Sequence, residues 1–254
     1  MSFLYHTLIA SPIINAMVLI YNYIPFKDIG VAIIVLTLII RVILLPLSYK
    51  AARTQREIAK IQPKLKEIQK KFKDNREEQA KRLMELYKEH KINPLAGIVP
   101  ILIQLPVLFA LYRAFMTVIN DIGSAPLYAF VSVPETINPL FLGIVDLSKP
   151  SIYLAIIAGL LQFGFSKMMN IYKKKDKKEK SKSTGLGSMM GSQMMYFLPV
   201  ITVFFAMKLP AGLPLYWSTT TLFSIAEQLW AKKKSAQKDK EKLQKEPEKL
   251  PDQT

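Results

Sequence analysis

No cysteine occurs among the 254 residues. Disulfides, thiolate catalysis and a Cys-linked lipid anchor are therefore excluded. The two histidines, His6 and His90, lie far apart and have no carboxylate or thiolate partners at ligand spacing, so no metal site is expected. The sequence also lacks a Gly-rich phosphate loop, a membrane-embedded histidine and a buried carboxylate pair. Covalent, nucleotide-driven and proton-pumping chemistry are thus unprovided for. The chain is read as a non-enzyme that needs no cofactor. Its first residues show neither a basic n-region nor a small-residue cleavage site, so a removable signal peptide is not expected. Acid is scarce as well: 19 Asp and Glu stand against 35 Lys and Arg, a net charge of +16. Spread over a soluble surface, that charge would suggest nucleic acid. Here the bases cluster between apolar blocks, and DNA is not an expected partner.

What the sequence does have is apolar length. Half of its residues are hydrophobic and the mean hydropathy is +0.19. A bilayer core of about 30 Å needs about 20 mostly apolar residues. Runs at Asp28–Ser48, Pro94–Val118, Ser151–Met169, Ser188–Met207 and Leu213–Ala231 meet that need. With their flanks they predict five spans: 27–49, 93–118, 151–170, 188–208 and 213–231. Membrane helices tolerate their internal prolines, Pro46, Pro106 and Pro199, when neighbours satisfy the freed carbonyls.

Charge sets the orientation. Residues 50–92 hold 14 Lys and Arg, 171–191 hold 7 and 231–254 hold 8, whereas 119–150 and 209–212 contain only Lys149, with Lys208 at the border. The positive-inside rule then places the N-terminus outside and the C-terminus in the cytosol of a multi-pass membrane protein. Residues 119–150 become an extracytoplasmic loop, 209–212 a short outer turn, and 171–187 a basic cytosolic loop.

Outside the spans, Thr7, Ser11, Asn15 and Asn22 fall on one helical stripe. They predict that residues 1–26 form an amphipathic helix along the outer interface. A sixth span is the competing reading, weakened by Pro12 and the stripe. In 50–92, Ile58, Ile61, Leu65, Ile68 and Phe72 make a heptad-like seam. A break at Asp74-Asn75 and a second run with Ala80, Leu83 and Tyr87 follow. Two antiparallel helices projecting into the cytosol are predicted, with Pro63 kinking the first or marking its start. One helix flat on the headgroups is the alternative. Segments 173–182 and 232–254, rich in lysine and low in aromatics, read as disordered; they either anchor topology or dock on anionic lipid or the ribosome.

Arg41 lies between VAIIVLTLII and VILLPLS. About eight residues separate it from Lys50, on the order of 12 Å of helix. A mid-membrane arginine costs roughly 2.5–3.5 kcal/mol on insertion scales and usually faces protein or a water-filled cavity. Apart from Asp28 at the outermost edge of the first, the only acid inside a predicted span is Glu227, near the cytosolic end of the fifth. Thr37 is one turn before Arg41 on the same face. Gln104 and Gln162 lie in the second and third spans, and Ser218, Thr221, Ser224 and Gln228 stripe the fifth. Each alone is more often an interhelical hydrogen bond than a site. Beside an arginine short of a fixed partner, they predict a hydrophilic groove.

Three stretches carry a family resemblance. They are GVAIIVLTLIIRVILLPLSYK around Arg41, QPKLKEIQKKFKDNREEQAKRLMELYKEHKINPLAGIVPILIQLPVLFALYRAF, and LPAGLPLYW at Leu209 to Trp217. The chain resembles the bacterial members of the YidC/Oxa1/Alb3 membrane protein insertases over roughly residues 20–230. The resemblance implies an all-α protein with five core helices, a cytosolic helical hairpin, and a groove open to cytosol and lipid but closed outside. Arg41 matches the groove arginine, and Thr37 and Gln104 fall at groove positions. Gln162, Thr221, Ser224 and Gln228 are added on spacing alone. The implied partners are nascent membrane proteins, membrane lipids, the ribosome and the Sec translocon, with the chain acting as a monomer. The large extracytoplasmic domain and extra helix of Gram-negative members have no counterpart here, nor has the lipoprotein cysteine of Gram-positive ones. Lys208-Leu209 stands where many members carry an aromatic.

Overall fold

The computed structural model describes residues 5–93, 99–175 and 199–245. A π-helical turn, His6–Ala10, runs straight into α1 (Ser11–Tyr23). Pro12 sits in the first turn of α1. Ile13, Ile14, Met17, Val18 and Tyr21 of α1 are buried. The polar stripe of this segment, expected at the headgroups, holds the loop after α4 instead. Asn15 is buried, donates to the Pro126 carbonyl at 3.0 Å and accepts from the Tyr128 N–H at 2.6 Å. Asn22 donates to the Ser132 carbonyl at 2.8 Å. The apolar face of α1 lies on protein, against α2 and α4 (ranges below).

Helix α2 (Ile29–Lys71) begins at Asp28, whose carboxylate caps Gly30 and Val31, and runs unbroken through Pro46 and Pro63. This corrects the expectation of a separate first helix starting near residue 50. Residues 48–60 are mostly good helix formers without glycine, so nothing ends the helix at the apolar boundary. The chain turns back over 72–75, and Asn75 caps α3 (Arg76–Glu89) by accepting from Glu78 N–H at 3.0 Å. Ile61 and Leu65 of α2 and Leu86 of α3 bury one another, flanked by Ile58, Ile68, Leu83 and Tyr87.

Helix α4 (Val99–Asn120) follows and buries Ala110, Leu111, Ala114, Phe115 and Val118. The loop after it departs from the all-α expectation. Strands β1 (Leu140–Phe141) and β2 (Val145–Asp146) pair antiparallel. Leu142 and Gly143 turn between them with φ of 51° and 70°, as a tight hairpin requires. Helix α5 spans Ile152–Lys175, residues 199–206 form α6, and α7 is Gly212–Lys245.

Helix α7 overturns the disordered reading of the tail as far as Lys245. Lysine, glutamine, glutamate and alanine favour helix, and extending an existing helix avoids the nucleation cost. Helix α5 likewise enters the basic loop as far as Lys175. The rest of that loop, the first part of the fourth predicted span, residues 94–98 and the last nine residues lie outside the described residues. Among the described residues, Ile29–Thr54 and Ile152–Met169 are long and apolar enough to cross a bilayer. The main core gathers α1 and the neighbouring ends of α2, α4 and α7.

Candidate functional site: the inward face around Arg41

Ile33, Thr37 and Arg41 recur every four residues on α2 and so share a face. Ile33 and Thr37 are buried and Arg41 is half-buried, whereas Leu38, Ile39, Val42 and Ile43 on the opposite side are exposed. Arg41 therefore points into the bundle. It faces α7, which packs against both α2 and α5. Its charge interacts with the Tyr216 hydroxyl and the Glu227 carboxylate, about three turns apart on α7. Among the described residues no carboxylate comes within ion-pair distance of the guanidinium.

The other polar side chains divide. Thr37 donates to the Ile33 carbonyl at 2.6 Å, so its hydroxyl is satisfied within its own helix. Ser218 and Ser224 do the same, to Pro214 and Thr220 carbonyls at 2.8 and 2.9 Å. Thr221 donates to Gln162 Oε1 at 3.4 Å and ties α7 to α5. Gln104 and Gln228 are half-buried, and no hydrogen bond joins either to Arg41 among the described residues. The structure thus joins Thr221 with Gln162 and Arg41 with α7, but not the whole predicted set.

Two hydroxyls escaped the sequence reading. Tyr216 Oη and Thr220 Oγ1 are buried, interact electrostatically, and have no hydrogen bond among the described residues. Their spacing of four on α7 and the LPAGLPLYW stretch were the available signals. Arg113, a second arginine in an apolar run, was also passed over.

Beyond this face the bundle closes. Met17, Ile33, Leu111, Phe115, Leu213 and Tyr216 leave a cavity of only about 10 Å³ between them, at the margin of what one water needs. Gly212 allows this seal, since a Cβ there would overlap the Phe115 ring. A larger cavity of about 670 Å³ lies elsewhere, between Tyr21, Asn22, Phe26, Phe130, Glu135 and Asn138. No group of three or more His, Asp or Glu able to hold a metal occurs among the described residues.

Residues 19–249 match the family model described as 60Kd inner membrane protein. The chain belongs to this family, the YidC/Oxa1 membrane insertases. It is 34% identical over 230 residues to the membrane protein insertase YidC of Pelobacter propionicus, covering 89% of this chain and 39% of that protein. To the membrane protein insertase YidC of Fusobacterium nucleatum it is 32% identical over 207 residues, covering 82% of this chain and 87% of that protein. The chain spans about two fifths of the length of the first of these YidC relatives. Its fold is similar to the structure described as "Active YidC insertase crystal structure with the first transmembrane domain resolved". That likeness has a TM-score of 0.59 at 25% identity, over 85% of this chain and 45% of that one. The protein is thus a predominantly helical membrane protein of the YidC fold.

Proposed function

We propose that this chain is a membrane protein insertase whose working surface is the inward face of α2 around Arg41. The observation that carries the reading is an arginine turned into the bundle, without an ion pair among the described residues, beneath a packed outer half. Such a charge attracts the acidic or polar tail of a nascent membrane protein arriving from the cytosol. The tight packing beyond it favours a one-sided groove over a through-channel. Helix α4 supports the same reading, because it packs mainly on α1 and meets α2 and α7 sparsely. Gln104 on α4 would line the gap, with Thr37, Gln162, Thr221, Ser224 and Gln228 around it.

In this reading five spans cross the cell membrane, with the N-terminus outside and the C-terminus in the cytosol. The folded-back pair α2–α3 projects into the cytosol to receive substrate, and the basic segments approach the ribosome. The substrate's apolar helix leaves the groove into lipid, and its burial drives the step without ATP. Moving a negative charge outward along an inside-negative potential adds about 2.3 kcal/mol per 100 mV. The chain works alone or beside the Sec translocon, as a monomer.

Reconstitution in liposomes with a short substrate bearing an acidic N-tail tests the activity. Insertion above empty liposomes is expected, and its absence defeats the insertase reading. Arg41→Ala should weaken insertion of acidic-tailed substrates more than of neutral-tailed ones. Equal loss for both would remove the electrostatic role.

A further inference from the structure

Arg113 lies on α4, seven residues before its end at Asn120, or about 10 Å along a helix. Unlike Arg41 it is exposed, on the side of α4 opposite buried Leu111, Ala114 and Phe115. No carboxylate pairs with it among the described residues. Its contact is His6, across the junction of α4 and the π-helical turn: Arg113 Nη1 donates to His6 Nε2 at 3.2 Å. Because a guanidinium only donates, His6 Nε2 is the acceptor of this bond. The Tyr5 ring stands edge-on to His6, with centroids 5.7 Å apart. Burial raises the Tyr5 pKa while the Arg113 charge pulls it down. Tyr5 therefore remains a phenol with an O–H to give.

A charge on the lipid-facing side of a span needs a counter-charge or a route to the headgroups. An imidazole and a phenol supply no negative charge. One hydrogen bond to His6 leaves most of the guanidinium's N–H donors free, and their fork matches a phosphate. From about 10 Å below the helix end, an extended arginine reaches the phosphate level of the leaflet.

We propose that Arg113, oriented by His6 and flanked by Tyr5, binds the phosphodiester of a phospholipid in the outer leaflet. His6 is a positioning residue: it fixes one edge of the guanidinium so that the other faces lipid. The site is distinct from the Arg41 face, since Arg113 points out of the bundle. Both its lipid-facing placement and its outer-leaflet assignment rest on the five-span topology proposed above.

The test uses the full chain, purified in mild detergent from membranes containing phosphatidylglycerol, with bound lipid counted by native mass spectrometry. Retention of phosphatidylglycerol is expected, with at least a five-fold drop in Arg113→Gln and a smaller drop in Arg113→Lys and His6→Ala. Diacylglycerol of the same acyl length, which lacks the phosphate, should not be retained. Because Arg113 is exposed, Arg113→Gln should keep the wild-type circular dichroism and melting curve. Unchanged lipid retention in Arg113→Gln overturns the proposal. Displacement of the lipid by millimolar inorganic phosphate also overturns it, in favour of a free-anion site. Insertion measured on the same samples separates the two readings: lipid retained without insertion defeats the insertase assignment and leaves this site standing.

Discussion

Asp28 Oδ2 accepts a 2.6 Å hydrogen bond from the backbone N–H of Leu142, while Oδ1 of the same carboxylate caps Gly30 and Val31 at 2.7 and 3.0 Å. One side chain thus starts the helix that carries Arg41 and pins the turn of the β-hairpin to it. Asp28→Ala is expected to lower stability by about 1–2 kcal/mol through the lost cap, and more if Leu142 N–H stays buried. Thermal unfolding in detergent measures the first effect. Faster proteolytic cleavage near 140–146 reports the second, and unchanged cleavage would show that the hairpin is held by packing alone.

Phe115 and Gly212 meet where no room exists for a Cβ. Gly212→Ala should destabilise by about 1–3 kcal/mol, as overpacking does. Phe115→Leu introduced alongside should recover part of that loss. A double-mutant cycle with no coupling would mean that the ring moves aside freely.

Glu227 is the carboxylate whose field reaches Arg41 among the described residues. Glu227→Gln removes that attraction and leaves the guanidinium freer for an acidic tail. Insertion of acidic-tailed substrates should rise by about two- to five-fold, consistent with a partly solvated charge pair. Neutral-tailed substrates should not respond. A rise in both, or a fall in the acidic series, would refute competition between Glu227 and substrate.

The packing of α3 on α2 is small and separate from the main core, resting on Ile61, Leu65 and Leu86. Leu65→Ala is expected to cost about 2–3 kcal/mol locally. Hydrogen exchange should quicken across 61–87 while the segments 29–40 and 212–222 keep their protection. Loosening of both regions together would show that they unfold as one unit.

Asp146 titrates below the ordinary carboxylate range, chiefly because the Ser148 hydroxyl donates to it at 2.5 Å, with Lys149 at 3.0 Å adding to the effect. A depressed folded-state pKa stabilises the hairpin above the ordinary carboxylate pKa, and that stabilisation is lost as pH falls through the lowered value. Ser148→Ala should move the Asp146 titration upward, read by carboxyl carbon chemical shifts against pH. No upward movement would mean that Lys149 sets the shift.

The inward turn of Arg41 was legible because period and charge agree. Apolar residues surround it in sequence, and the spacing of four to Thr37 and Ile33 fixes a shared face. The seam of Ile61, Leu65 and Leu83 was legible for the same reason, and Asn75 announced the start of α3. What failed was the border between the apolar span and the charged helix after it. Hydropathy changes at residue 49, but backbone propensity does not, and the hydrogen-bond ladder follows propensity. The tail misled in the same way, since a composition that cannot build a core can still extend a helix.

The stripe on α1 shows the opposite failure. Asn15 and Asn22 were rightly placed on one face, yet what that face touches depends on residues more than a hundred positions away. By itself the sequence determined membrane class, charge asymmetry, a predominantly helical chain and an arginine set within an apolar run, because each follows from composition or local period. Only the tertiary structure decided that Asp28 reaches Leu142, that Tyr216 and Glu227 flank Arg41, and that Arg113 meets His6. These pairings depend on which helix ends are brought together, and no local pattern in the chain encodes that.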